Sequence, residues 1–302
     1  MSTQPSNKPK DMIDTITLTL TNDKFHLSKP DKFTPSARWV HHPMPELHGI
    51  QSKQNPTKGE QQSGIYKPHL TITPHFHPNG SIAPMLKIQL SLPKLLFGNN
   101  LKELLYKDFK TVVTKLQAAL KEMGIVATAE ALVHAPVAAI HYAKNIPLTD
   151  GSTPYHYIQK IKEAYVQQAL DVNEIAYRND GCSYRWHCNT YEVVFYDKLK
   201  ELEQTFQGSP QMLRTKLSRQ KKFEVLRMEV RLNKRQKIKQ LFNSLGIKSK
   251  LTFKKLFKPS IAKKILLHYL DEVERKRPNL SNCTKTSTKS FLATLIVNNP
   301  WL

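Results

Sequence analysis

A period-two alternation of apolar and polar residues constrains the fold of this chain more than any other feature. Ile13–Leu20 alternates in this way, and Phe223–Leu232 alternates apolar residues with charges. Successive side chains of a strand point to opposite faces, so both segments predict β-strands. Strand and helix patterns follow one another without strict alternation. The chain is therefore expected to be α+β, with a mostly antiparallel central sheet and flanking helices.

Further elements are indicated by turn signals and by helical spacing. Pro78-Asn79-Gly80 separates two apolar segments and predicts a hairpin. Leu101–Met123 carries apolar residues at helical spacing and predicts an amphipathic helix. The polar stretch 21–63 has only short apolar pieces and predicts a long loop. The other predicted elements are strands over Tyr66–Phe76, Ile82–Leu92, Ala135–Ile146 and Val193–Tyr196, and helices over Pro93–Gly98, Pro154–Leu170, Arg235–Leu245, Pro259–Glu274 and Lys289–Val297.

The domain organisation follows from length and composition. The 302 residues suit one large domain with a small appendage. Residues 1–11 are polar and are expected to be disordered. Residues 12–234 hold the predicted strands and form the expected main domain, and residues 235–302 form a helical C-terminal region.

The charge of the chain restricts the class of its partner. Lys and Arg number 46 against 24 Asp and Glu, which gives a formal net charge of +22. Such an excess favours a polyanion, meaning nucleic acid or an anionic membrane. The chain lacks a run of about 18 apolar residues, and its first residues lack the apolar centre of a signal peptide. Nucleic acid is therefore the expected partner, and no membrane is expected.

The three cysteines, Cys182, Cys188 and Cys283, predict a reducing compartment without a disulfide framework. Cys182 and Cys188 enclose a segment with a histidine, but no second ligand pair follows at zinc-finger spacing. We therefore interpret the cysteines as free thiols of a cytoplasmic protein.

Tyr196 is the first candidate catalytic residue. It ends a strand, and Lys198 follows at the start of a charged helix. A tyrosine hydroxyl has an ordinary pKa near 10 and needs help to act as a nucleophile at neutral pH. Lys198 could lower that pKa or stabilise charge on a phosphate. The alternative is a half-buried strand tyrosine, and Tyr184 and Tyr191 could compete for the role.

Glu229 is the candidate metal ligand on the later strand. It shares a strand face with Arg227 and Arg231, which suits a carboxylate between two phosphate-binding arginines. The alternative is a solvated ladder of cross-strand charges.

Two groups of histidines are the other candidates. His75 and His77 flank one apolar residue, so that in a strand both imidazoles lie on one face, where they could share a metal. The alternative is a solvated hairpin tip. His141 has apolar neighbours, which suits a core histidine, but Lys144 and Asn145 follow it and point toward a polar site.

Taken together, these segments resemble the gene II replication proteins of filamentous bacteriophages and related phage and plasmid replication proteins. The similar segments keep their order over residues 12–240. They are Met12–Asp14, Leu86–Ser91 with the turn and helix after it, Pro136–Asn145, Phe195–Leu202 and Val225–Leu232, of which the last two are the most specific.

The resemblance implies a rolling-circle replication initiator. Such an enzyme nicks one strand of a duplex origin with a tyrosine, stays joined to the 5′ phosphate, and later rejoins the displaced strand. The resemblance makes Tyr196 the nucleophile, Lys198 its neighbouring cation and Glu229 a metal ligand. His141 stands where the family has an acidic residue, which would shift the metal preference from Mg²⁺ toward Mn²⁺.

The same resemblance implies partners and leaves two alternatives. The expected partners are origin DNA, host helicase and host polymerase in the cytoplasm of a bacterium. Arg227, Arg231 and Lys144 would bind the nucleic acid, and the stretch 21–63 would face it. One alternative is a plasmid mobilisation relaxase, whose histidine-hydrophobe-histidine motif would be His75 and His77. The other is a non-catalytic origin-binding protein or repressor, which needs only the basic surface.

Overall fold

A computed structural model describes residues 10–11, 13–40, 49–57, 59–60, 63–76, 79–149, 151–162, 183–205 and 224–275. The strands are β1 Lys10–Asp11, β2 Ile13–Thr21, β3 His26–Leu27, β4 Thr34–Val40, β5 Gly49–Gln54, β6 His69–Phe76, β7 Ile82–Ser91, β8 Leu104–Leu105, β9 Ile125–Val126, β10 Val137–Leu148, β11 Ser183–His187, β12 Tyr191–Asp197 and β13 Glu224–Leu232. The helices are α1 Leu92–Phe97, α2 Phe109–Glu122, α3 Ala129–Val133, α4 Pro154–Lys162, α5 Lys198–Thr205, α6 Arg235–Ser244, α7 Phe253–Leu256 and α8 Pro259–Arg275.

Nine of the strands form one sheet in the order β11-β12-β13-β10-β2-β7-β6-β5-β4. Every neighbouring pair in this sheet is antiparallel. Two small antiparallel pairs, β1 with β8 and β3 with β9, lie outside it. The expected α+β class with a mostly antiparallel central sheet is confirmed.

The alternation seen in the sequence separates the central strands into an apolar face and a polar face. On β2, Ile16, Leu18 and Leu20 are buried in the core, while Thr19 on the opposite face is partly exposed. Burying a side chain of the Leu or Ile type stabilises a fold by about 1.5–3 kcal/mol, so a register slip of one residue would be strongly unfavourable.

The helices of residues 235–275 pack into the same core as the sheet. Tyr191 of β12 lies against Tyr269 of α8, with ring centroids 5.2 Å apart. Phe109 of α2 contacts both Phe253 and Phe257, with centroids 5.0 Å apart in each case. The helical character predicted for this region is therefore confirmed as far as residue 275, and its helices share one hydrophobic core with the strands. The helix predicted over Lys289–Val297 lies outside the described residues.

Three predicted boundaries need correction. The stretch 21–63 contributes β4 and β5 to one end of the sheet, where backbone pairing through β5 to β6 holds strands that carry few apolar residues. The helix predicted from Leu101 begins at Phe109, because Leu104–Leu105 pair with Lys10–Asp11 as strands. Lys10 and Asp11, which were expected in the disordered segment, form β1.

The other predicted elements agree closely with the structure in the described residues. The hairpin β6–β7, the helix α1 and the strands β10, β12 and β13 all lie within about three residues of their expected bounds. Among the described residues, no helix is both long enough and apolar enough to cross a bilayer.

Candidate active site

Three neighbouring strands bring the sequence-predicted residues together on the polar face. Tyr196 of β12 lies opposite Arg227 of β13, and His141 of β10 lies opposite Arg231 of β13. Residues directly opposite one another in antiparallel strands point to the same side. Glu229 lies between the two arginines on this side, so a tyrosine, a carboxylate, an imidazole and two guanidiniums converge.

The carboxylate of Glu229 is the centre of this cluster. The Tyr196 hydroxyl donates to its Oε2 at 3.4 Å. His141 Nδ1 lies 3.4 Å from Oε1. Arg231 donates through Nε to Oε1 at 3.1 Å and through Nη2 to Oε2 at 3.3 Å. Each carboxylate oxygen therefore has two polar partners, and together these partners come from all three strands.

Burial and charge act in opposite directions on Glu229 and Tyr196. Burial would raise the pKa of Glu229, but the His141 hydrogen bond and the charges of Arg231 and Arg227 outweigh it and hold that pKa well below its ordinary value. Burial raises the pKa of Tyr196 well above 10, and the nearby Glu229 charge adds to this, although Arg227 opposes it. At neutral pH the pair therefore consists of a protonated phenol and an ionised carboxylate.

Lys198 is placed beside the tyrosine by the start of α5. Asp197 ends β12, and its Oδ1 accepts hydrogen bonds from the backbone N–H groups of Leu199 and Lys200, both at 3.0 Å, as an N-cap residue does. The Lys198 side chain is fully buried, with its Nζ 5.7 Å from the Tyr196 ring centroid and in an ion pair with Glu201. Burial and the charge of Arg227 lower the pKa of Lys198 to about 8, against the opposing effect of Glu201.

Arg227 belongs to a buried network rather than to an exposed binding surface. Its Nη2 lies 2.6 Å from Asp14 Oδ1, and its Nη1 donates to the Asn100 carbonyl at 2.9 Å and to Asn145 Oδ1 at 3.1 Å. Its Nε is 4.0 Å from Glu229 Oε2. The Arg227 Nε–H is buried and has no hydrogen-bond acceptor among the described residues. The proposed role of Arg227 as a direct nucleic-acid contact therefore does not suit its burial, since the guanidinium is held within the protein.

Asp14 is a member of this buried network that the sequence patterns did not predict. It is the extra residue of a bulge, because His141 pairs with Thr15 while the next residue, Tyr142, pairs with Ile13. The bulge turns the carboxylate toward Arg227. The available signal was the pair of consecutive polar residues, Asp14 and Thr15, which interrupts an otherwise regular alternation.

Lys144 does not face solvent, which corrects its predicted role in nucleic-acid binding. The pairing of β10 with β2 ends at Tyr142 and Ile13. For the residues of β10 after Tyr142, Glu103 lies where a β2 residue would otherwise pair. The Glu103 carboxylate accepts the Asn145 backbone N–H at 2.9 Å and pairs with Lys144 Nζ at 2.7 Å. Lys144 is 2% exposed, so binding a phosphate would require breaking a buried ion pair.

The other tyrosines and the other histidine motif lie elsewhere. Tyr191 and Tyr184 are on the opposite face of the sheet, where Tyr191 contacts Tyr269 and Tyr184 contacts Trp186. His75 lies on β6, and three strands separate β6 from β13. At about 4.8 Å between neighbouring strands, this places it roughly 19 Å away from the Glu229 strand. His77 lies outside the described residues.

The fit to a metal ion is partial. Within the described ranges, no group of three or more His, Cys, Asp or Glu side chains is arranged to hold one. Glu229 and His141 offer two ligands, but Arg231 occupies both carboxylate oxygens. A divalent ion could complete its coordination only with phosphate or water oxygens, and Arg231 would have to move toward the phosphate. Cys188 is a free thiol, as expected, while Cys182 and Cys283 lie outside the described residues.

Comparison of the chain with protein-family models, curated proteins and solved structures finds no match. The resemblance to phage and plasmid replication proteins therefore stays a prediction, and the function has to be proposed from the geometry above.

Proposed function

We propose that this protein nicks and rejoins DNA through a covalent 5′-phosphotyrosine on Tyr196, as the initiator of rolling-circle replication. One observation carries the proposal: the Tyr196 hydroxyl donates to the ionised Glu229 carboxylate, with Arg231 beside it, in a chain of net charge +22. A nucleophile, a proton acceptor and a cation in this order suit phosphodiester transfer.

The nicking step follows from the protonation states of the pair. Because Tyr196 stays protonated, free tyrosinate does not form before the attack. The phenol oxygen bonds to phosphorus while its proton passes to Glu229, and the 3′ oxygen leaves and takes a proton from solvent. The low pKa of Glu229 makes it a weak base, so proton transfer has to accompany bond formation.

The cations offset the charge that develops on the phosphate. Arg231 is the accessible one, since about a quarter of its side chain is exposed (26%). Lys198, whose pKa is about 8, is positively charged at neutral pH and lies beside the ring of Tyr196, which carries the attacking oxygen. The phosphotyrosine retains the energy of the broken bond, so rejoining by a 3′ hydroxyl needs no nucleotide cofactor.

A divalent cation, Mg²⁺ or Mn²⁺, remains part of the proposal. Glu229 and His141 would hold it, and it would supply polarisation of the scissile phosphate. Host helicase and polymerase in a bacterial cytoplasm are the partners that rolling-circle replication would require.

One second function has a specific observation in its favour. Tyr196 is only 8% exposed, so a phosphate reaches its hydroxyl only if neighbouring side chains move. A non-catalytic origin-binding protein or repressor needs no such movement. The relaxase alternative is less favoured, because His75 is distant from Glu229.

The proposal is tested by incubating supercoiled DNA that carries the candidate origin with the wild-type protein and with Tyr196→Phe, in Mn²⁺. Wild type should give nicked circles and a DNA–protein band that survives SDS, and Tyr196→Phe should give neither. Tyr191→Phe is the matched control and should behave as wild type. If wild type binds the DNA and never nicks it, the origin-binding function replaces the nuclease.

A further inference from the structure

A groove with a volume of about 420 Å³ lies at the beginning of β10, apart from the candidate active site. It is lined by residues of α6, including Arg235 and Lys239, and by the segment 249–252, including Lys250. Phe242 and Leu251 are buried apolar residues of the lining. The size is within the range of about 300–1,000 Å³ that ligand sites occupy.

The groove has a defined shape because its walls are bonded to the sheet. Leu251 accepts the Val137 backbone N–H at 3.0 Å, and Phe253 donates its N–H to the Ala135 carbonyl at 3.0 Å. Arg235 Nη1 donates to the Val137 carbonyl at 3.2 Å, which fixes one cation at the rim. Gly246, with φ +63°, allows the chain to turn from α6 toward the segment 249–252.

The charges of the groove are of one sign. Arg235, Lys239 and Lys250 are exposed, and within the described part of the chain none of them takes part in an ion pair. None of the described lining residues is acidic. Three accessible cations around one groove, with no carboxylate to neutralise them, attract an anion.

The same sign extends through the surrounding sequence. Residues 230–270 contain no Asp or Glu, although they contain twelve Lys and Arg residues. These residues are Arg231, Lys234, Arg235, Lys237, Lys239, Lys248, Lys250, Lys254, Lys255, Lys258, Lys263 and Lys264. A region of this charge concentrates polyanions rather than single small anions.

The polyanion is nucleic acid rather than a lipid surface. A helix that lies on a membrane needs a free apolar face. The apolar residues of α6 and α8, such as Ile238, Leu241 and Ile265, are instead buried in the core. The exposed large apolar residues of the described chain all lie outside residues 230–270, at Ile65, Ile82, Tyr106, Val126 and Tyr155.

We propose that Arg235, Lys239 and Lys250 bind backbone phosphates of the DNA on which Tyr196 acts, and so form a second contact outside the active site. The statement that this DNA is the substrate of Tyr196 rests on the proposed function, whereas the binding of a polyanion in the groove does not. Val137, whose carbonyl accepts the Arg235 hydrogen bond beside the groove, lies six residues along β10 from Ala143, the residue opposite Glu229. At about 3.3 Å per residue this is roughly 20 Å. A DNA duplex, which carries one phosphate of each strand per about 3.4 Å of its axis, covers that distance in about six base pairs.

The test compares DNA binding by three proteins over a range of salt concentrations. The groove variant is Arg235→Gln/Lys239→Gln/Lys250→Gln. The control variant, Lys107→Gln/Lys110→Gln/Lys121→Gln, removes the same charge from exposed positions elsewhere. Affinity for a fluorescent duplex of about 30 base pairs is measured by anisotropy. A second groove variant, Lys239→Gln/Lys250→Gln, keeps the Arg235 hydrogen bond to Val137 and guards against misfolding of the triple variant.

The expected result follows from counterion release. Three lost contacts should lower the slope of log K against log salt by about 2.7, and near 0.15 M salt they should weaken binding about a hundredfold. The double variant should lower the slope of log K against log salt by about 1.8. The control should retain nearly the wild-type slope.

The other outcomes overturn the inference in distinguishable ways. If wild type forms its adduct but the groove and control variants bind alike, the groove inference is wrong and the proposed function stands. If the groove variant loses its slope while no adduct ever forms, the groove is a DNA site and the nuclease proposal fails. If DNA binding is unchanged but binding to vesicles with about 30% phosphatidylserine is lost, the groove is a membrane site.

Discussion

Replacing Asp14 by alanine should destabilise the protein by about 3 kcal/mol, because it leaves the Arg227 guanidinium buried without its closest counter-charge. Removing one partner of a buried ion pair costs about 3–5 kcal/mol. Here the pair is 2.6 Å apart and Arg227 is 2% exposed. Glu229 at 4.0 Å still offsets part of the charge, which places the loss near the lower end of this range.

The measurement is equilibrium unfolding in urea at neutral pH. With an m-value of about 3 kcal/mol/M, a loss of about 3 kcal/mol moves the midpoint by about 1 M. The double variant Asp14→Ala/Arg227→Met removes both charges and should recover most of the lost stability. A loss of less than about 1 kcal/mol for Asp14→Ala, or a double variant as unstable as the sum of two single losses, would refute this reasoning.

The same pair predicts a dependence on pH. Burial would raise the pKa of Asp14, but the charges of Arg227 and Lys198 and the Thr15 hydrogen bond together outweigh it and hold the pKa below its ordinary value. A carboxyl whose pKa is lowered on folding stabilises the fold at neutral pH and loses that effect as the pH falls through its folded pKa. The difference in stability between wild type and Asp14→Ala should therefore shrink steadily below about pH 4.

Three further predictions concern the reaction. Glu229→Gln removes the proton acceptor and should slow adduct formation by at least about a hundredfold, with DNA affinity by anisotropy changed only a few-fold; equal losses of both would contradict the role. The pKa of Lys198 is lowered to about 8, so Lys198 loses its positive charge as the pH rises above that value. The single-turnover nicking rate should therefore fall above about pH 8. Lys198→Arg keeps its charge and should not show this fall; a parallel fall in both proteins would assign it to another group. His75→Ala should leave the nicking rate within about threefold of wild type because His75 lies on a distant strand, and a larger loss would revive the relaxase alternative.

The strands of the site could be predicted from sequence because the relevant signals are local. The alternation around Glu229 assigns it to the same face as Arg227 and Arg231, and this face is observed. The position of Tyr196 at the end of a strand, with Asp197 as the helix cap, is likewise a local pattern.

The partners of these residues could not be predicted because they are distant in sequence. Glu103 pairs with Lys144 across 41 residues and thereby converts an apparent phosphate ligand into a buried ion pair. Asp14 meets Arg227 only because β2 joins the far side of β10 and carries a bulge there. The strands of the polar stretch 21–63 were not predicted because they carry few apolar residues and are held by backbone pairing with one another and with β6. Both side-chain contacts depend on how distant segments pack together, and no local sequence pattern encodes that packing.

The most direct measurement is to identify the residue that carries DNA after a single turnover. The adduct is digested with a nuclease and a protease, and the modified peptide is mapped by mass spectrometry. A nucleotide joined to Tyr196, and absent from Glu229→Gln, is the predicted result. An adduct on Tyr184 or Tyr191, or DNA binding without any adduct, would contradict the assignment of Tyr196 and Glu229 as nucleophile and proton acceptor.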